Sequence, residues 1–189
     1  MSGIVYDFPK PLRFVAGAVG LPGDRTFFLQ AQSATQLSTV TVEKEQLVTL
    51  TERLQELLEL VKNNPETHVE IPEEPLERLV DNAGLVTPID SEFKVGTMGI
   101  AWNSSLGCVI IECYELTVEE MNSGATAEPA EDGEDERQRL RVRLDPAQAK
   151  EFIRRADQVV NAGRQDCPYC FQPIEPDGHI CVRLNGIPR

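Results

Sequence analysis

"TVEKEQLVTL" (Thr41–Leu50) and "RLDPAQAKEF" (Arg143–Phe152) follow one plan, and reading them side by side decides the fold. In each, a strand with alternating apolar residues gives way to a helix with apolar residues every three or four positions. In the first, Leu47, Leu50, Leu54, Leu57, Leu58 and Val61 form a stripe opposite Glu52, Arg53, Glu56 and Glu59. That spacing predicts an amphipathic helix from about Glu43 to Lys62, stopped near Asn63-Asn64-Pro65. In the second, Asp145 is a good N-cap, Pro146 fits the first helical position and Gln148 can close a capping box. Its stripe is Ala149, Phe152, Ile153, Ala156, Val159 and Val160, and Gly163 ends the helix.

Strands precede both helices. "RFVAGAVGLPGDRTFFLQAQS" reads as two strands joined by Leu21-Pro22-Gly23-Asp24, with Phe27, Leu29 and Ala31 alternating against Phe28 and Gln30. "LSTVTV" adds a third, with Val40 and Val42 on one face. In the second half, "FKVGTMGIAWNSSLGCVIIECYEL" gives two strands around Asn103-Ser104-Ser105. "QRLRVRL" then supplies the third, with Leu140, Val142 and Leu144 opposite Arg139, Arg141 and Arg143. Phe14-x-x-Gly17-x-x-Gly20 also matches Phe93-x-x-Gly96-x-x-Gly99. An internal duplication of a strand-strand-strand-helix unit follows, with repeat one at about 13–62 and repeat two at about 92–163. The expected fold is α+β: one pseudo-symmetric domain over 1–163, its strands in one antiparallel sheet or a partly closed barrel, its helices on the faces. The glycine pairs suggest bulges or close backbone approach. A phosphate loop is disfavoured, because neither Gly-x-x-Gly leads into a helix.

The connecting segments carry different signals. Residues 1–12, with Pro9 and Pro11, read as an arm. Residues 65–92 are acidic and proline-punctuated, with a short helix expected over "EPLERLVDNAG". "TVEEMNSGATAEPAEDGEDERQ" is an insertion in the second half, acidic and poor in large apolar residues, predicting a disordered loop at about 121–135. It is read as a solvated spacer, or as an acidic tether for a basic partner.

Bulk properties narrow the function. The chain has 189 residues, 41% hydrophobic, and a formal net charge of −13. Such a surface repels nucleic acid and anionic membranes alike. No apolar run approaches the ~20 residues of a membrane span, and the start lacks the pattern of a secretory signal. The expected location is the cytoplasm, where cysteines serve as metal ligands more often than as disulfides.

"DCPYCFQPIEPDGHIC" (Asp166–Cys181) then carries the chemistry. Cys167-Pro168-Tyr169-Cys170 matches the redox motif of glutaredoxins. A redox pair, however, belongs early in a thioredoxin-type fold, at the start of a helix. Too little chain follows Cys170 for that fold, and Pro173 and Pro176 forbid a long helix directly after it. A metal uses every residue. Cys167 and Cys170 sit on one tight turn, Pro173–Gly178 turns back, and His179 and Cys181 face the same way on an extended strand. Cys-x2-Cys-x8-His-x-Cys therefore predicts structural Zn2+, closed by three thiolates and one imidazole, in a zinc-ribbon-like hairpin over 164–189. Iron is the minor competitor. The nucleobase-deaminase pattern fails, since it needs His-x-Glu upstream of the cysteine pair.

Other candidates carry less. Cys108 and Cys113 lie on one apolar strand, face opposite sides and read as core thiols. His68 is an exposed bystander in a loop. Trp102 is expected to cap the core. Arg139, Arg141 and Arg143 form a basic strand face that is solvated, meets the protein's own acidic helices or holds an anion.

"RFVAGAVGLPGDRTFFLQ", "EFKVGTMGIAW" and the terminal "CPYCFQPIEPDGHIC" together resemble an actinobacterial family of conserved hypothetical proteins, a domain of unknown function labelled a repeat protein. The resemblance implies a metal-binding tail and supplies no catalytic residues. It also implies gene neighbours of histidine-phosphatase-like and kinase-like type. Val182 departs from the proline expected after Cys181. The leading expectation is a non-catalytic protein-interaction or regulatory module whose protein partner the sequence does not identify. The rival is an enzyme or small anionic-ligand binder with a site between the halves, held by Arg139, Arg141 or Arg143. Zinc-ribbon recognition of nucleic acid is a third and weaker reading.

Overall fold

The computed structural model describes residues 3–123 and 136–162, together with Tyr169 and Arg183, both exposed. The elements run β1 (Val5–Phe8), β2 (Arg13–Leu21), β3 (Asp24–Gln32), β4 (Leu37–Val42), α1 (Lys44–Lys62), β5 (Val95–Asn103), β6 (Cys108–Glu115), α2 (Val118–Ser123), β7 (Arg139–Leu144) and α3 (Pro146–Asn161). The order strand-strand-strand-helix occurs as β2-β3-β4-α1 and, with α2 inserted before the third strand, as β5-β6-α2-β7-α3. Among the described residues the strands form two sheets, ordered β2-β3-β4 and β1-β7-β6-β5. The fold is mixed α+β, and two expectations need correcting. The strands do not close a barrel, and they are not wholly antiparallel.

The parallel element comes from the arm. Val5–Phe8 pairs with β7 in parallel, Phe8 opposite Val142. The start therefore contributes an edge strand, a position where Pro9 and Pro11 just after it cost no ladder bond. The other half does the same in miniature. Thr41 of β4 bridges Lys94 in parallel, Thr41 N donates to Phe93 O at 3.0 Å, and Glu92 N donates to Thr39 O at 2.8 Å. Each half thus lends its leading segment to the third strand of the other, and Phe8 and Phe93 are the buried anchors of the two exchanges. The Tyr6 hydroxyl lies 3.1 Å from both Glu92 Oε2 and Gln138 Oε1, joining the two leading segments.

The glycine match does not survive the ladder register. Ala16 lies opposite Leu29, and Ile100 lies opposite Ile111. Phe14 therefore corresponds to Met98 rather than to Phe93, partly because a bulge between Val95 and Met98 shifts β5. Close approach is real at Gly17, where an added Cβ would sit 2.5 Å from the Leu85 side chain. At Gly20 a φ of +110° demands glycine for conformational reasons instead.

Both helices bury the faces that their periodicity predicts. Leu47, Leu50, Leu54, Leu58 and Val61 on α1, and Ala149, Phe152, Ile153 and Ala156 on α3, enter one core with Leu29, Val40, Ile111, Leu140 and Val142. Phe152 stacks on Phe14 of β2 with ring centroids 4.7 Å apart. Each fully buried side chain of this size contributes about 1.5–3 kcal/mol through removal of apolar surface from water. The helix expected over "EPLERLVDNAG" shrinks to a single 3-10 turn, Glu77–Leu79. Its downstream residues are drawn into an extended path by side chains from β2 and α3. The start of the predicted loop is ordered as α2, which covers Met121 to Ser123, and the remainder lies outside the described residues.

Candidate functional site

Each helix lies beside the first strand of the opposite half, and the capping boxes fix that meeting. Gln148 N donates to Asp145 Oδ1 at 2.8 Å, and Asp145 N donates to Gln148 Oε1 at 3.1 Å. The far end of the same amide, Nε2, donates to Pro11 O at 3.1 Å, just ahead of β2. On α1, Glu43 N donates to Gln46 Oε1 at 2.9 Å, while Gln46 Nε2 reaches Val95 O and Gly96 O of β5 at 3.1 and 2.8 Å. One glutamine thus caps a helix and holds a strand in both places. Two grooves result, one between α3 and β2 and one between α1 and β5.

The α3–β2 groove is narrow, about 90 Å3, and is crossed by the chain's own Val80–Val86 segment. Arg155 is the chief clamp. Its Nε donates to Ala16 O at 2.9 Å, and its terminal nitrogens donate to Asp81 O at 2.7 Å, Ala83 O at 2.6 Å and Asp81 Oδ1 at 3.3 Å. Arg13 pairs with the Asp81 carboxylate and also reaches Ala83 O and Gly84 O at 2.8 and 2.9 Å. Asp81 N donates to Glu151 Oε1 at 2.8 Å, and Arg154 donates to both oxygens of that carboxylate at 2.7 Å. Downstream, Leu85 sits over Gly17, and Val86 exchanges two bonds with the Gln30 amide. The hydrogen bond from Arg13 lowers the Asp81 pKa below the usual carboxylate range, while burial lowers that of the Arg155 guanidinium. The clustered charges are therefore spent on one another and on backbone carbonyls. A buried, satisfied network of this kind specifies structure.

The α1–β5 groove is larger, about 390 Å3. Among the described residues only α1 and β5 line it, with Leu50, Met98 and Ile100 as apolar walls and Glu45 and Arg53 at the rim. Arg53 is exposed and pairs with Glu56 at 3.2 Å.

The arginine face resolves into cross-strand pairs. Arg141 Nε donates to Glu112 Oε1 at 2.6 Å, Arg139 lies 3.6 Å from the same carboxylate, and Arg143 lies 3.5 Å from Asp7. Glu112 on β6 and Asp7 on β1 flank β7, so the basic stripe neutralises its neighbours. Of the readings open in the sequence, the protein's own acidic groups supply its partners, from strands rather than from helices. Cys108 and Cys113 are both buried, and burial pushes the Cys113 thiol up to about 12. His68 is exposed in its loop, and Trp102 lies half-buried on β5, packed against the core.

The predicted metal ligands Cys167, Cys170, His179 and Cys181 lie outside the described residues. Among the described residues no group of three or more histidine, cysteine, aspartate or glutamate side chains could hold a metal ion. Sequence reasoning missed Arg13, Asp81 and Arg155, because no local pattern announces a contact between β2, a loop and α3. It found Gln148 as a cap but not the second bond its amide makes.

The family described as "Protein of unknown function (DUF3090)" matches residues 6–181. The chain belongs to this family. The matched stretch spans both halves and reaches all four predicted ligands, stopping at Cys181. No curated protein and no solved structure matches the chain. No described helix is long and apolar enough to cross a membrane.

Proposed function

We propose that the chain is a non-catalytic protein-interaction or regulatory module whose C-terminal end is held by a structural zinc ion. The observation that carries this reading is the donor set Cys167, Cys170, His179 and Cys181. Three thiolates and one imidazole complete a tetrahedral shell, which leaves no position for a reacting water. Zinc would supply folding free energy to a segment with few large apolar residues of its own. The charged groups of the folded part support the non-catalytic reading. Asp81, Glu112 and Glu151 each meet arginines of the same chain, as a scaffold requires.

Native mass spectrometry of protein purified without added metal tests the metal part of the reading. One zinc per chain is expected, and a folded, metal-free chain would remove it. Capture from the native host with intact and zinc-stripped protein tests the interaction part. A partner retained only by the metal-bound form is expected, and catalytic turnover by the isolated chain would defeat the reading.

A further inference from the structure

The two grooves correspond residue by residue. The spacing that carries Glu43 onto Asp145 and Gln46 onto Gln148 also carries Leu50 onto Phe152 and Arg53 onto Arg155. The strand ladders agree, placing Thr97 and Met98 where the first groove has Arg13 and Phe14. The α3–β2 groove has its occupant in Val80–Val86. Carried past α3, the same spacing sets Val80 on Val182, Gly84 on Gly186 and Leu85 on Ile187, so that "VDNAGLV" answers "VRLNGIP". We infer that Val182–Pro188 of the same chain docks in the α1–β5 groove as Val80–Val86 does in its mate.

The chemistry of the first groove shows what the second needs. Arg155 makes most of its bonds to the carbonyls of Ala16, Asp81 and Ala83, and only one to a carboxylate. A grip on carbonyls makes no demand on side-chain identity. Arg53 can therefore hold the carbonyls of Arg183 and Asn185 although position 183 is basic. The change of charge suits the rim. Asp81 meets Arg13, whose counterpart is the neutral Thr97, and Glu45 stands at the second rim where the first has Ala147. Leu50, Met98 and Ile100 offer Ile187 an apolar seat in a volume of about 390 Å3. Reach is no obstacle. The 20 residues between α3 and Val182 exceed the 17 that make the matching connection from α1 to Val80. The family match ends at Cys181, so the inference rests on this chain's own register and not on the metal.

Hydrogen exchange on the full chain tests it, comparing wild type with Ile187→Asp on the tail and Arg53→Glu on the groove wall. Docking predicts that the amides of Thr97–Ile100 exchange about tenfold faster in both variants, while those of Val5–Phe8 are unchanged. Unchanged exchange at Thr97–Ile100 in both variants overturns the inference. So does wild-type protection that appears only in a concentrated, dimeric sample, since that assigns the groove to a second copy. Should either variant misfold, trypsin cleavage after Arg183 in the wild-type chain decides. Cleavage at least tenfold slower than after an exposed arginine outside the groove, such as Arg78, supports docking, and equal cleavage overturns it. Metal content measured on the same samples separates the two proposals. A metal-free chain with protected β5 would sink the zinc alone and leave the docking supported.

Discussion

The α3–β2 and α1–β5 grooves rest on the same capping glutamine, the same helix position for an arginine and matching strand registers, yet they differ in content. One is narrow because seven residues of its own chain are laced into it by Arg13 and Arg155. The other is wider, and its arginine sits at the surface. The difference continues along the chain. After α1, the connection is fixed by packing and charge, with Ile71 in the core and Lys62 paired to Glu73. After α3, the stretch at matching positions carries three cysteines and a histidine. The first half brings an extended segment back across its partner with an ion network, and the proposals above would have the second half do the same with a metal-held tail.

Because each half completes a sheet of the other through Phe8 and Phe93, the halves should not unfold separately. Phe152→Ala removes the ring stacked on Phe14 and is expected to cost about 3–5 kcal/mol. In urea it should lower a single transition seen equally by far-ultraviolet dichroism and Trp102 fluorescence. Two separated transitions would show the halves to be independent.

The next effect sharpens the comparison of grooves. Arg155→Ala removes the donor to the Ala16 carbonyl and leaves Asp81 and Ala83 to Arg13 and Arg154, for a loss of about 2–4 kcal/mol. Its counterpart Arg53→Ala should cost no more than the docked tail it holds, about 1.4 kcal/mol for the tenfold exchange expected above. Equal losses would remove the distinction between the grooves.

Acid should loosen the first groove selectively. The folded pKa of Asp81 is depressed, so its stabilising contribution is complete above the unfolded value of about 4 and is lost as pH falls through the lower folded one. Exchange at Leu85 and Val86 should therefore rise below about pH 4, ahead of exchange in α1. Simultaneous loss of both would show that Asp81 does not hold the segment.

Thiol reactivity gives the smallest and most local readout. Cys113, buried with a pKa of about 12, should stay silent to a thiol reagent in the folded state. Chelator should expose the tail cysteines Cys167, Cys170 and Cys181 without releasing Cys113. Tail cysteines that react at full rate before chelation would contradict the metal.

The helices and the main strands were legible because burial writes itself into local period. Leu47 to Val61 and Ala149 to Ala156 could scarcely be read otherwise, and Asp145-Pro146-x-Gln148 marks its helix start without help. What escaped was long-range. The parallel pairing of Val5–Phe8 with β7 leaves no local trace, since two prolines beside a short strand read as an arm. The five-residue error in matching Gly17 with Gly96 came from equating similar letters across a bulge that only the ladder reveals. The pairing of Arg139, Arg141 and Arg143 with Glu112 and Asp7 was beyond reach for the same reason, because it depends on which strands are neighbours. At the tail the ligand spacing is local, and the metal site stands as a proposal from the sequence alone.

The account turns on a metal doing at the end of the second half what the ion network does in the first. Zinc K-edge X-ray absorption on the full chain, purified without added metal, tests this most directly. Three sulfur scatterers at about 2.3 Å and one nitrogen at about 2.0–2.1 Å are predicted. A shell of oxygen and nitrogen alone, or no stoichiometric zinc in the folded chain, would contradict it.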